Sequence, residues 1–356
     1  MHFAVNPFGQ QYPNGTHEIQ SFMRSVPMQA QIITQFGSPS VFETADVPLP
    51  QVMPNHVLIR VAATSVNPVD YKIRQGAVAD IAPDFPAVLH GDVAGVVEAV
   101  GEGVTTFQPG DEVYACAGGV KGLGGALAEY MLADVNLVAH KPKSLTMAEA
   151  AALPLVSITA WEGLIDRAQV QPGQSVLVYG ATGGVGHMGV QLAKWAGATV
   201  YALVSSEEKT AIARKLGADF TINYQEQPVE EFVAEHTDGQ GFDVVFDTVG
   251  NDNLQNAFKA AKLNGTVVSI VSLSQQDLTL LHAKGLSLHL VYMLIPLLYG
   301  VGRVRHGEIL AQLAQRVDEG KVRPLLDAQI FHFSQIALAH QRAESGQAIG
   351  KVVLQR

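Results

Sequence analysis

The sequence has 356 residues, 47% hydrophobic and only 16% charged, against about 25% charged in an average soluble domain. That balance excludes an intrinsically disordered chain and a charge-laced coiled coil, and two domains is the expectation for the length. The net charge of −10 comes without a lysine- or arginine-rich run, which excludes a nucleic-acid footprint. One cysteine, Cys116, permits neither an internal disulfide nor a cysteine-cluster metal site and fits a reducing, cytoplasmic compartment.

Residues 1–27 carry Pro7, Pro13 and Pro27 with Gly9 and Gly15, and no apolar run of signal-peptide length; they read as an irregular N-terminal extension. From Gln29 to Asp134 the texture is strand and turn. Val57–Ala62 and Val93–Val100 are β-rich runs, punctuated by Asn67-Pro68, Pro109-Gly110-Asp111 and the glycines between 118 and 125. Such a pattern predicts an all-β or barrel-like unit.

Near Leu153-Pro154 the texture changes. A buried strand over 175–179 is followed by a helical pattern over 183–196, a strand over 199–204, and a helix over 207–216. That last helix has acids in its first turn, Arg214 and Lys215 in its last, and Gly217 just beyond, as dipole and capping rules favour. Strands at 220–223, 244–247 and 266–271 then alternate with helices at 229–236 and 254–262. Strand alternating with helix predicts a parallel, doubly wound sheet covered on both faces. A helix over 308–319 and a closing strand over 351–354 complete the chain. The apolar stretch 286–301 is broken by His289 and Pro296 and falls short of the ~20 residues of a membrane span.

Gly180, Ala181, Thr182, Gly183, Gly184, Val185 and Gly186 lie directly between the strand 175–179 and a helix. Ala181, Gly183 and Gly186 occupy the G-x-G-x-x-G frame, with alanine first. This context predicts a dinucleotide site, its pyrophosphate on the free N–H groups of the helix start. An NAD site places an acid at the tip of the second strand. Here that tip reads Leu203-Val204-Ser205-Ser206, with Lys209 one helical turn on, while Glu207 and Glu208 read as helix N-terminal charge. Two hydroxyls and a cation suit a 2′-phosphate, so NADPH is expected over NADH.

Ser65-Val-Asn-Pro-Val-Asp-Tyr-Lys72, Gly91-Asp-Val-Ala-Gly95, the turn 180–186 and the closing Gly350-Lys-Val-Val-Leu354 together resemble the medium-chain dehydrogenases/reductases, in the zinc-free quinone oxidoreductase branch. The resemblance runs from about Met28 to the last residues. It implies an α/β protein with two units: a β-rich catalytic domain with a GroES-like core (28–153 and 295–356), and a Rossmann domain binding NADPH (154–294). The active site would be the cleft between them. Thr159, Val249, Gly250 and Val271 would then line the nicotinamide side, Tyr224 would join Ser205 and Lys209 at the adenosine phosphate, and Lys351 would lie on the return strand near the cofactor. It also makes the edge near Leu286–Met293 a homodimer seam.

The zinc-using relatives carry a catalytic cysteine where this sequence has Asn67 and a histidine where it has Gly91, and segment 118–125 has no cysteine. No metal is expected, since a catalytic zinc needs three protein ligands. His90 reads as a satisfied packing residue. Hydride addition to a quinone or an enone builds negative charge on a carbonyl oxygen, and something must stabilise it. Lys72 is the candidate for that charge or its proton, Asn67 for orienting the nicotinamide ribose or the carbonyl, Tyr71 for a further donor, and Asp70 for orienting its neighbours. Two other readings stay open: reduction of an enoyl thioester or a carbonyl, and an NADPH-binding structural or redox-sensing protein with little turnover.

Overall fold

A computed structural model describes residues 27–271 and 273–356. The expected extension over 1–27 therefore lies, apart from Pro27, outside the described residues.

The β-rich part is built on two sheets. A three-stranded sheet has the order Phe42–Pro48, Pro27–Ile33, Ala87–Val88. The larger, seven-stranded sheet runs Leu326–His332, Lys351–Gln355, His56–Ser65, Asp92–Val100, Glu112–Cys116, Val138–His140, with Tyr130–Asp134 also paired to His56–Ser65. The closing strand Lys351–Gln355 thus lies antiparallel beside His56–Ser65, with Val353 opposite Ser65. The last strand of the chain and the motif 65–72 meet by this pairing.

The second part is a six-stranded parallel sheet ordered Phe220–Asn223, Thr199–Val204, Ser175–Val178, Phe242–Asp247, Ala261–Ser269, Ser287–Leu290. The order reverses direction at Ser175–Val178, which is the switch point where open α/β sheets bind ligands. Period-two alternation explains how both faces are buried. Val176 and Val178 pack into one cluster, and Leu177 and Tyr179 into another on the opposite face. The α/β expectation, a β-rich unit plus a doubly wound parallel sheet, therefore describes the molecule. Among the described residues, no helix is long and apolar enough to cross a membrane.

Three local expectations differ from the structure. Asn67-Pro68 is no mere turn: it opens a helix, Pro68–Gln75, with Asn67 at the N-cap and Gly76 closing it at φ +81°. Proline suits the first helical position because its missing N–H would be unpaired there anyway. The helix expected over 308–319 begins earlier, at Arg303. The last strand of the parallel sheet is only Ser287–Leu290, and the remainder of 286–293 leaves the ladder.

Candidate active site

Asp92 begins a core strand and is completely buried. A buried carboxylate must be paired with donors to be tolerated, and this one collects them from four residues. Its Oδ2 accepts from Ser65 Oγ at 2.8 Å and from Asn67 Nδ2 at 2.7 Å. Its Oδ1 accepts from the backbone N–H of Leu155 at 2.8 Å, in the first turn of the helix Pro154–Trp161. Lys351 Nζ stands 3.6 Å from Oδ2.

Lys351 is itself only 3% exposed. Its ammonium donates to the Val66 carbonyl at 3.0 Å and to the Asn67 carboxamide oxygen. Burial pulls its pKa below the usual lysine value, and the carboxylates of Asp92 and Asp70 oppose that shift. The two contacts on Asn67 fix its amide orientation, nitrogen toward Asp92 and oxygen toward Lys351. Asp70 completes the group, accepting from the backbone N–H of Asn67 at 2.7 Å. Burial raises the Asp70 carboxyl to about 7, Asn67 pulls it back, and Asp92 adds to the rise.

The same strands bury a second chain of polar groups. Thr64 gives its hydroxyl hydrogen to the Asp92 carbonyl at 2.6 Å, so His90 Nδ1 must donate to Thr64 Oγ1, at 3.2 Å. His90 Nε2 then accepts from His340 Nε2 at 2.9 Å, and His340 Nδ1 accepts from Arg74 Nη1 at 3.2 Å. One direction of donation runs through the whole chain with both imidazoles neutral. Burial agrees with that state: it lowers His90 to about 3 and holds His340 well below its ordinary value. His90 is thus a satisfied core residue.

The sequence motif 65–72 is only partly gathered here. Asn67 and Asp70 join the buried group with Lys351. Lys72 lies one turn on, half-buried, its ammonium with no hydrogen-bond partner among the described residues, and Asp70 is not its partner. Tyr71 is half-buried against the core, which raises its phenol above the ordinary value. Thr159 is buried and spends its hydroxyl on the Leu155 carbonyl at 2.7 Å. Sequence reasoning missed Asp92 as the centre of the group and Ser65 as its partner. An acid at the head of the apolar run Val93–Val100 was the available signal.

The glycine-rich turn lies directly against this group. Gly350 N–H donates to the Thr182 carbonyl at 2.9 Å, and a Cβ placed on Gly184 would meet Lys351 Cδ at 3.3 Å. Within the turn, Gly180 takes φ +63°, and a Cβ on Gly186 would lie 2.0 Å from the Gly180 carbonyl oxygen. The tight turn therefore falls on Gly180, one residue before the alanine of the sequence frame. Gly183 caps the helix Gly184–Trp195 with no side chain over its first N–H groups, which leaves them open to an anion. At the tip of the next strand, Lys209 Nζ donates to Ser205 Oγ at 3.0 Å, and Ser206 caps the helix Glu207–Lys215 by accepting from Lys209 N–H. Tyr224 is 53% exposed just past the neighbouring strand. Asp247 accepts from the N–H groups of Val249 and Gly250, at 3.1 and 2.9 Å, and so shapes that loop. A Cβ on Gly250 would strike the Val271 carbonyl oxygen at 2.4 Å, bringing the two segments together.

These residues fit a nicotinamide dinucleotide: a bare helix start, a turn in which side chains would clash, and a hydroxyl–ammonium pair with no acid at the strand tip. They do not fit a tetrahedral zinc. Asn67 and Asp92 are committed to the bonds just described, His90 has both ring nitrogens engaged, and the thiol of the buried Cys116 is pushed well above its ordinary pKa.

Residues 53–143 match the family model of the alcohol dehydrogenase GroES-like domain, and residues 216–354 that of the zinc-binding dehydrogenases. The chain is 36% identical to the 2-methylene-furan-3-one reductase of Solanum lycopersicum over 340 residues, spanning 93% of this chain and 80% of that protein. It is 35% identical, with the same coverage, to the chloroplastic NADPH-dependent alkenal/one oxidoreductase of Arabidopsis thaliana. A quinone oxidoreductase of Sus scrofa is 32% identical, spanning 92% of this chain and 97% of its own. Among solved structures, an alcohol dehydrogenase superfamily protein from Novosphingobium aromaticivorans superimposes with a TM-score of 0.88 at 39% identity, over 92% of this chain and 99% of that one. Fold, turn and relatives agree: the chain belongs to the medium-chain dehydrogenase/reductase superfamily, in its quinone oxidoreductase-like branch.

Proposed function

We propose that this protein is an oxidoreductase that reduces a small quinone or α,β-unsaturated carbonyl with NADPH and uses no metal. The observation that carries the reading is Lys351. Its ammonium bonds Asn67 of the β-rich unit, while its stem lies on Gly184, at the helix start that would receive the pyrophosphate. The relatives named for alkenal/one and quinone reduction support the same acceptor class. When bound, NADPH supplies a hydride.

The chain supplies position and charge. Gly180 to Gly186 would hold the pyrophosphate, and Ser205, Ser206, Lys209 and Tyr224 the adenosine 2′-phosphate. Thr159, Val249, Gly250 and Val271 would wall the nicotinamide. As hydride adds to the acceptor, its carbonyl oxygen gains negative charge and then a proton. The unpaired ammonium of Lys72 is assigned to that charge, with Tyr71 as the adjacent donor. Asn67, held from both sides, orients the reacting groups, and Asp70 fixes the Asn67 backbone. With the side chains of Asn67, Asp70, Asp92 and Lys351 already paired inside the protein, catalysis rests mainly on positioning.

Three coarser features join the reading. The catalytic unit comprises 28–153 and 295–356, and the dinucleotide unit 154–294. The single cysteine supports a reducing, cytoplasmic setting. Ser287–Leu290 is an edge strand beside the exposed Leu290, Tyr292 and Ile295. An unpaired apolar edge invites pairing, and we assign it to a homodimer; a stable monomer in sedimentation at micromolar concentration would remove that assignment.

The deciding experiment is a paired NADPH and NADH titration followed by an acceptor panel of quinones, 2-alkenals and enoyl thioesters. Tight NADPH binding with turnover on the first two is expected. Tight binding with no acceptor-dependent oxidation would overturn the enzyme reading, and preference for NADH the cofactor reading.

A further inference from the structure

At the far end of the dinucleotide-binding helix lies a second concavity. The helix Gly184–Trp195 has 12 residues, so its end stands roughly 18 Å from the pyrophosphate end. There it meets the ends of Glu207–Lys215 and Arg303–Asp318 around a cleft of about 580 Å3. That volume lies in the range of small-molecule sites. Its walls carry Lys194, Lys215, Lys321 and Arg323, with the half-exposed indole of Trp195 beside them.

Four cations in one cleft are unexpected on a chain of net charge −10. Three helices end here, and their carbonyl ends account for some of that charge. Arg323 caps the Lys215 carbonyl, and Lys194 is paired with Asp219 at 2.5 Å. The nearby Glu319 is held by Arg316, whose guanidinium lies 5.1 Å from the centre of the Trp195 ring. Among the described residues, no carboxylate reaches Lys215, Lys321 or Arg323, so the cleft stays net positive, with the ammonium groups of Lys215 and Lys321 uncommitted. Its floor is rigid. Gln191, 4% exposed, accepts from the Arg323 N–H and donates to the Arg323 carbonyl, both at 2.9 Å.

We infer that this cleft is a binding site for a small phosphorylated ligand carrying two or three negative charges, separate from the dinucleotide site. The cations supply charge-assisted donors for phosphate oxygens, and Trp195 supplies an apolar wall for whatever the phosphate is attached to. Binding here does not depend on the reaction assigned to the protein.

The test is calorimetric titration of inorganic pyrophosphate into the full chain at low salt, after NADP+ has been titrated to saturation. Failure of the dinucleotide reading appears in that first titration and is thereby kept apart. Saturable pyrophosphate binding is expected. It should weaken about tenfold or more in Lys215→Glu/Lys321→Glu, since two charge-assisted contacts are lost. The control Lys121→Glu/Lys259→Glu, with the same net charge and exposed positions on other elements, should bind like the parent. No saturable binding at millimolar pyrophosphate overturns the inference. So does equal weakening in both double variants, because that would be a general charge effect.

Discussion

Lys351 and Asn67 are 284 residues apart in the chain and hydrogen-bonded side chain to side chain in the buried site. That contact ties the end of the β-rich unit to the motif bearing Lys72, and it lies against the first turn of the dinucleotide helix. Lys351→Met and Lys72→Met should therefore fail differently. The first removes a side chain whose stem lies on Gly184, where the proposed site would receive the pyrophosphate, and should raise the KM for NADPH about tenfold or more. The second should lower kcat by about tenfold to a hundredfold with NADPH binding intact. Steady-state kinetics with NADPH and an activated enone separate them; unchanged turnover in Lys72→Met would take that residue out of the mechanism.

Asp92 anchors four residues, and its removal should be felt in stability before activity. Asp92→Ala leaves the Lys351 ammonium buried without its carboxylate and strips partners from Ser65, Asn67 and Leu155. Breaking a buried ion pair at one side costs about 3–5 kcal/mol. Urea unfolding should show a loss of that order, with Asp92→Asn milder because it keeps an acceptor oxygen. A loss near zero would mean that water or a neighbour replaces the carboxylate.

Asp70 sets a pH dependence. Its folded carboxyl titrates at about 7 instead of the usual 3.8, chiefly because burial disfavours the charge. The neutral form is thus the one the fold prefers. Its stabilising contribution is complete below the unfolded value and is lost as pH rises through about 7. Asp70→Asn should flatten the fall in stability between about pH 4 and 7 relative to the parent. Urea midpoints across that range are the measurement, and parallel profiles would argue that Asp70 is ionised throughout.

Cofactor choice should rest on the bonded pair Ser205 and Lys209. Lys209→Ala removes the cation offered to a 2′-phosphate and should reduce the preference for NADPH over NADH by about ten- to a hundredfold. Fluorescence titration with both nucleotides reads this directly.

The parallel sheet was legible in the sequence because its signals are local. Thr199–Val204 and Phe220–Asn223 are short apolar strands, and Glu207–Lys215 carries its own charges and stop signal. The glycine turn was legible for the same reason. The helix Pro68–Gln75 is legible too, from proline at its first position and an acid at its third, although Asn67-Pro68 reads equally well as a turn. Asp92 was not legible as a centre. Its partners come from residues 65, 67, 155 and 351, and it takes two strand pairings, of His56–Ser65 with Asp92–Val100 and with Lys351–Gln355, plus the start of the helix Pro154–Trp161, to bring them together. Nor does an exposed lysine announce a basic cleft: Lys215 and Lys321 meet only because two helices end side by side.

The antiparallel placement of Lys351–Gln355 beside His56–Ser65 has a consequence for biosynthesis. Early domains fold while later residues are still being made, yet this site stays open until Lys351–Gln355 has emerged, after every strand of the parallel sheet. Until then Asn67 and Asp92 lack their ammonium, and Thr182 lacks the N–H of Gly350. The nascent chain therefore carries the whole parallel sheet before this buried group can close.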